Sequence, residues 1–235
     1  MERASKPRNA SRRSKLADAI YAQVKADIFD FRLLPGARFS ENEVAARSRV
    51  SRTPVREALM RLSREGYLQV HAKSGWSVRP LDFDEFEHLY DLRIVLELAA
   101  VRKLCAANAS GALGALKDVW LVHPRQRLTD ANRVARLDEG FHARLVAATG
   151  NPELARVHQG ITERIRILRR LDFTHPERII STYQEHAAIL CAVFSRNEKR
   201  AAALLRAHIE ASKAEVRGIN QRRLRLAQLD ALKGR

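Results

Sequence analysis

The chain has 235 residues, enough for two domains of ordinary size, and its 43 Lys+Arg against 27 Asp+Glu leave a formal net charge of +16. Such an excess suits a polyanionic partner. No apolar run reaches membrane-spanning length, the basic N-terminus lacks the apolar stretch of a secretion signal, and Cys105 and Cys191 have no metal-ligand spacing, so a cytoplasmic protein with reduced thiols and no membrane partner is expected.

Residues 1–14 are polar, basic and without period, which predicts a disordered basic arm. Leu16, Ile20, Val24 and Ile28 then mark an amphipathic helix that opens a domain over residues 15–80. Ser40 and Glu43, three residues apart, predict a capping box and hence a helix start. Ser51 is placed to cap a second helix, with Pro54 in its first turn and Gly66 at its end. Val55, Leu59 and Leu62 share one face of that helix and predict a core contact. Its other face presents Ser51, Arg52, Thr53 and Arg56 at the N-terminal end. In a helix-turn-helix those groups enter the major groove, where Arg reads guanine edges and Ser or Thr meets phosphate. Solvated arginines on a surface helix would give the same pattern.

The next segment separates the two readings. Tyr67–His71 and Trp76–Arg79 alternate in polarity about a turn at Ala72-Lys73-Ser74-Gly75, a β-hairpin directly after the second helix. A basic hairpin there is the wing of a winged helix, with Lys73 at its tip in reach of phosphate. Residues 1–80 carry 17 Lys+Arg against 8 Asp+Glu, so the charge is concentrated in this region. Double-stranded DNA is the expected partner.

Pro80-Leu81-Asp82 reads as a hinge, and the sequence beyond it is helical in period. Helices are expected near 83–108, 111–121, 128–149, 152–172, 177–195 and 197–222. The predicted fold is mainly α: a winged helix-turn-helix with a small hairpin, then an antiparallel all-α bundle of about six helices over 81–222. Residues 223–235 form a basic tail.

The bundle carries a second constellation. Asp138 and His142 are four residues apart on one helical face. His186 and His208 each lie eleven residues from the break at Asn197, so an antiparallel hairpin brings both imidazoles to one level. One carboxylate and three imidazoles suit a divalent ion such as Zn, Ni, Mn or Fe, although Asp138 and His142 alone also make an ordinary i,i+4 pair. Arg93 lies among apolar positions of the first bundle helix; it matches a carboxylate bidentately or pairs with Glu97 one turn on. Arg178, with Ser181 and Glu185, either reaches the cavity or orients a ligand histidine. His88, His123, His158 and His175 have no convergent partners in the sequence.

Leu33-Leu34-Pro35-Gly36, Ser40-Glu41, the run Val50-Ser51-Arg52-Thr53-Pro54-Val55-Arg56-Glu57-Ala58-Leu59 and Glu65-Gly66 resemble the GntR superfamily of bacterial transcription regulators over residues 14–80. That resemblance implies DNA contacts at Arg52, Thr53, Arg56 and the wing tip. Phe31 and Arg49 stand where many relatives have Gly. Asn42 occupies a position that is Arg in some relatives and is assigned no contact. Asp138-x-x-Phe141-His142, Gly150-Asn151-Pro152, Leu154, Glu185-His186 and His208 resemble the FCD ligand-binding domain of FadR-type members over residues 84–222. In metal-binding members, positions matching Asp138, His142, His186 and His208 hold the ion, and small carboxylic acids bind in the same pocket. Six bundle helices resemble the VanR-like branch.

The resulting expectation is a homodimer on an inverted-repeat operator that senses a small organic acid touching the metal and Arg93, with repression favoured. A metal sensor in which occupancy itself is the signal is the alternative. A metal-dependent enzyme is the remaining one, disfavoured because no separate general base or nucleophile–base pair is evident.

Overall fold

The computed structural model describes residues 7–29, 32–72, 75–107, 111–172 and 176–218. The chain divides into two compact units, one over Met1–Leu81 and one over Asp82–Asn220. Lys73, Phe31, His175 and the basic tail at 223–235 lie outside the described residues.

In the first unit, α1 (Pro7–Phe29) begins earlier than the sequence reading placed it. Residues 8–14 contain no Gly or Pro to oppose the helix, so low hydrophobicity alone does not end it. Its buried face is Ala17, Ile20, Val24 and Ile28, while Leu16 is exposed. An i+4 series drifts by about 40° per step, so the four expected residues span roughly 120° and the first rotates off the face. Strand β1 (Arg38–Phe39) leads into α2 (Glu41–Ser48). The Ser40 hydroxyl accepts from the Glu43 amide while the Glu43 carboxylate accepts from the Ser40 amide, the expected capping box. At the far end of α2, Arg49 takes the left-handed conformation that glycine favours (φ 53°).

Helix α3 (Arg52–Arg64) buries Val55, Ala58, Leu59 and Leu62 completely, packing against α1 and α2. Ser51 is its N-cap residue, but its side chain makes no capping hydrogen bond. Strands β2 (Leu68–His71) and β3 (Gly75–Val78) form the hairpin. The sheet is antiparallel in the order β1-β3-β2, with Phe39 and Val70 on either side of Trp76. The two-residue β1 was absent from the sequence reading, being too short for alternation to register. Gly75 (φ 90°) brings the hairpin backbone against Phe39, where a Cβ would lie 2.7 Å from the carbonyl oxygen.

The second unit holds six α-helices among its described residues: α4 (Phe83–Ala107), α5 (Gly114–Trp120), α6 (Ala131–Ala147), α7 (Pro152–Asp172), α8 (Pro176–Phe194) and α9 (Glu198–Gly218). The first lies against α6, α7, α8 and α9, at the centre of the bundle. Each turn that aligns the site has its own cause. Gly150 takes a positive φ after α6, and the Asn151 carboxamide accepts the amides of Glu153 and Leu154 to start α7. Between α8 and α9, Asn197 accepts the Arg200 amide while Arg196 donates to the carbonyls of Cys105 and Ala106 at the end of α4.

Candidate functional site

On the first unit, Ser51, Arg52, Thr53 and Arg56 are all exposed at the N-terminal end of α3. The buried face directly opposite leaves this end free to face a partner. The arginines are already engaged within the unit: the Glu41 carboxylate accepts from Arg56 Nε (2.8 Å) and Nη2 (3.0 Å), and from Arg52 Nη2 (3.4 Å). Glu41 was not a sequence candidate, because its contact with α3 crosses the helix-turn-helix angle.

In the bundle, α6 supplies Asp138 and His142, α8 supplies His186 and α9 supplies His208. Donor atoms of all four lie within 4.8 Å of one another, and all four residues are buried. Asp138 Oδ1 is 3.5 Å from His142 Nε2, 3.2 Å from His186 Nε2 and 3.7 Å from His208 Nε2. His208 Nε2 is 3.1 Å from His142 Nε2 and 3.3 Å from His186 Nε2. Phe141 stacks on the His186 ring at 3.8 Å, and Trp120 meets its edge at 4.2 Å.

Carboxylates behind two of the imidazoles decide which nitrogens point inward. Glu97 Oε2 is 2.5 Å from His142 Nδ1, and Glu185 Oε2 is 2.6 Å from His208 Nδ1. A carboxylate holds the imidazole proton on Nδ1, which leaves the Nε2 lone pairs of His142 and His208 facing each other. Burial disfavours the imidazolium, taking the pKa of His142 down to about 4 and that of His208 to about 3, and the His186 pKa is also pushed well down by burial. Neutral imidazoles with opposed lone pairs cannot hydrogen-bond one another. The Asp138 Oδ1 atom, buried among them, accepts no hydrogen bond at all. Five donor-atom separations, those of Asp138 Oδ1 from the three imidazoles and of His208 from His142 and His186, run from 3.1 to 3.7 Å, as for ligands about 2.1 Å from one shared ion. The donor set therefore fits a divalent cation, held by Asp138, His142, His186 and His208.

A charged layer supports the cluster. Glu97, fully buried on α4, also accepts from Arg93 Nε (2.6 Å) and lies 3.0 Å from His158 Nε2 on α7. Burial raises its pKa, but Arg93 and His142 outweigh that and hold it well below the ordinary carboxylate range. Arg169 on α7 donates to Asp138 Oδ2. The pairing of Arg93 with Glu97 is thus present, and Arg93 Nη2 remains buried without a hydrogen-bond partner. Arg178 Nη1 donates to Glu185 (2.8 Å) and to Ser181 (3.2 Å), so it orients the carboxylate behind His208. His158 is a correction: the sequence offered it no convergent partner, yet it shares Glu97 with His142. A buried Glu on the apolar face of α4 was the available signal, but its partners lie 45 and 61 residues away. His123, by contrast, caps a short 3-10 helix at Pro124–Gln126.

Comparison with known proteins agrees with both units. Residues 16–78 match the model for bacterial regulatory proteins of the gntR family, and residues 88–211 match the FCD domain. The Nta operon transcriptional regulator of Aminobacter aminovorans is 39% identical over 176 residues, 75% of this chain and 82% of that protein. The HTH-type transcriptional repressor RspR of Escherichia coli K12 is 25% identical over 210 residues, 86% of this chain and 89% of that one. Among solved structures, Escherichia coli McbR/YncC shares the fold with a TM-score of 0.64 at 18% identity, covering 86% of this chain and 97% of that chain. The first two relatives are described as a transcriptional regulator and a transcriptional repressor, and no described helix is long and apolar enough to cross a membrane. A winged helix-turn-helix followed by an FCD bundle, matched along both units, makes this chain a transcriptional regulator of the GntR family with an FCD domain.

Proposed function

We propose that the protein is a metabolite-responsive repressor that binds an inverted-repeat operator as a homodimer and senses a small organic acid in the bundle. The observation that carries this reading is the buried Asp138 Oδ1, which accepts no hydrogen bond while three imidazole Nε2 atoms converge on it. Asp138, His142, His186 and His208 would hold a divalent ion, whose chemistry there is to accept a carboxylate oxygen as a Lewis acid. Arg93 Nη2, a buried donor with no partner, suits the other end of the same anion. Arg178 acts at one remove, by fixing Glu185 behind His208.

At the DNA, Arg52 and Arg56 are assigned to base edges, and Ser51, Thr53 and the wing residue Lys73 to phosphates. The Ser51 hydroxyl makes no capping hydrogen bond and so keeps its capacity for such a contact. Exposed Leu92 and Val95, almost one turn apart on α4, supply an apolar stripe suited to a second copy. Repression is favoured by analogy with the relative described as a repressor. An effector changes DNA affinity only through its different affinities for the DNA-bound and DNA-free forms.

The test is operator binding followed by fluorescence anisotropy, with organic acids screened in the presence and absence of chelator. An acid that shifts affinity in wild type but not in His186→Ala supports the reading. A shift caused by chelator alone, with every acid silent, assigns the signal to the metal itself.

A further inference from the structure

Glu41 is the first residue of α2, and its side chain is only 12% exposed although it lies beside the exposed N-terminal end of α3. Its two carboxylate oxygens accept from Arg56 Nε at 2.8 Å and Arg56 Nη2 at 3.0 Å, and the second oxygen also meets Arg52 Nη2 at 3.4 Å. The Trp76 side chain on β3 hydrogen-bonds the same carboxylate. One buried-edge carboxylate therefore ties together α2, the two arginines of α3 and the base of the wing.

A guanidinium offers two two-donor edges. One runs along Nε and Nη2, the other along Nη1 and Nη2. Glu41 occupies the first edge of Arg56. The side chain remains 63% exposed and lines an open cleft of about 440 Å³ between α3 and the hairpin, with Arg52, Val70 and His71 also on its walls. The second edge is the fork that matches guanine O6 and N7.

We propose that Glu41 is a positioning residue for sequence discrimination, fixing Arg56 so that a single oriented fork is offered to a base. The proposal rests on the reading of α3 as the DNA-reading helix. Its physical content is a trade. A carboxylate beside the groove repels phosphates and lowers affinity for every duplex. A held arginine, however, cannot swing to a phosphate when the base is wrong, so mismatched sites lose more. Hydrogen bonding to Arg56 holds the Glu41 carboxyl below its ordinary range, so the charge is present throughout the neutral range.

The experiment uses the full chain as wild type, E41Q, E41D, R56A and E41Q/R56A. A duplex is selected from a random pool with the wild-type protein, and a shuffled duplex serves as control; anisotropy is read over a salt series. E41Q should bind the shuffled duplex more tightly, with a salt slope steeper by about 0.9 for one further phosphate contact. Its discrimination between the two duplexes should fall roughly tenfold, the worth of one bidentate base contact. E41D, with a shorter reach, should fall between E41Q and wild type. In the R56A background E41Q should change discrimination no further, which a merely structural role would not produce. Thermal melts of each variant report folding.

Discrimination kept within about twofold of wild type by both E41Q and E41D would overturn the proposal. So would an equal loss from E41Q with and without Arg56, because Glu41 would then be reading a base itself, as a carboxylate does at cytosine N4. If wild type selects no duplex, or R56A leaves binding intact, the assignment of α3 fails and carries this proposal with it.

Discussion

Replacing Glu97 by Gln tests whether the layer behind the cluster is held by charge. The substitution keeps shape and removes one negative charge from a fully buried position. Three groups depend on that charge: Arg93 Nε at 2.6 Å, His142 Nδ1 at 2.5 Å and His158 Nε2 at 3.0 Å. Arg93 is itself 1% exposed, so its guanidinium would stay buried without a counter-charge. Breaking a buried pair from one side costs about 3–5 kcal/mol, far more than the pair contributes relative to an apolar replacement. A carboxamide still accepts one hydrogen bond but turns its NH2 toward groups that are already donors, so little of the loss is recovered. For a unit of this size the melting temperature should fall by roughly 8–15 °C.

Trp120 makes the assay specific, because it belongs to the second unit and touches His186, while Trp76 belongs to the first. In a Trp76→Phe background the remaining tryptophan reports the bundle alone. Chemical unfolding followed at that fluorophore should show the destabilisation, and zinc titration against a competing chelator should show affinity weaker by about 10–100-fold. If E97Q unfolds within about 1 kcal/mol of its parent, the buried-charge argument is wrong and Glu97 is a spacer rather than a counter-ion.

Metal removal should act on the same unit: zinc at about 100 times its dissociation constant should add about 2.7 kcal/mol of stability, and His186→Ala should erase most of that increment in a thermal shift. Gly75→Ala should strain the hairpin by about 1–3 kcal/mol, since φ is 90° and the new Cβ meets the Phe39 carbonyl, and should weaken DNA binding with the bundle melt unchanged. Leu59→Ala, at a fully buried position of α3, should cost about 2–5 kcal/mol in the first unit, read at Trp76 in a Trp120→Phe background.

What sequence alone determined about this protein was everything carried by short spacing. The capping box at Ser40 and Glu43, the apolar face Val55-Leu59-Leu62, the hairpin about Ala72-Gly75 and the six helices of the bundle all follow from neighbours within a few residues, where backbone period and local hydrogen bonding decide the outcome. Even the meeting of His186 and His208 was legible, because a hairpin about Asn197 imposes equal spacing on both arms. Spacing could not say where α1 begins or that Leu16 leaves its buried face, since both depend on which side of the helix finds a partner.

Only tertiary structure decided the partners of charge. Glu97 takes Arg93 from its own helix, yet its links to His142 and His158 come from α6 and α7; Glu41 joins arginines 11 and 15 residues away across a turn. Glu185 was expected to reach the cavity or to orient a ligand histidine, and only packing decides that this histidine is His208. The physical reason is that buried charges pair by proximity in three dimensions. The desolvation cost they must offset exists only once packing has removed water, so no periodicity in the chain records the choice.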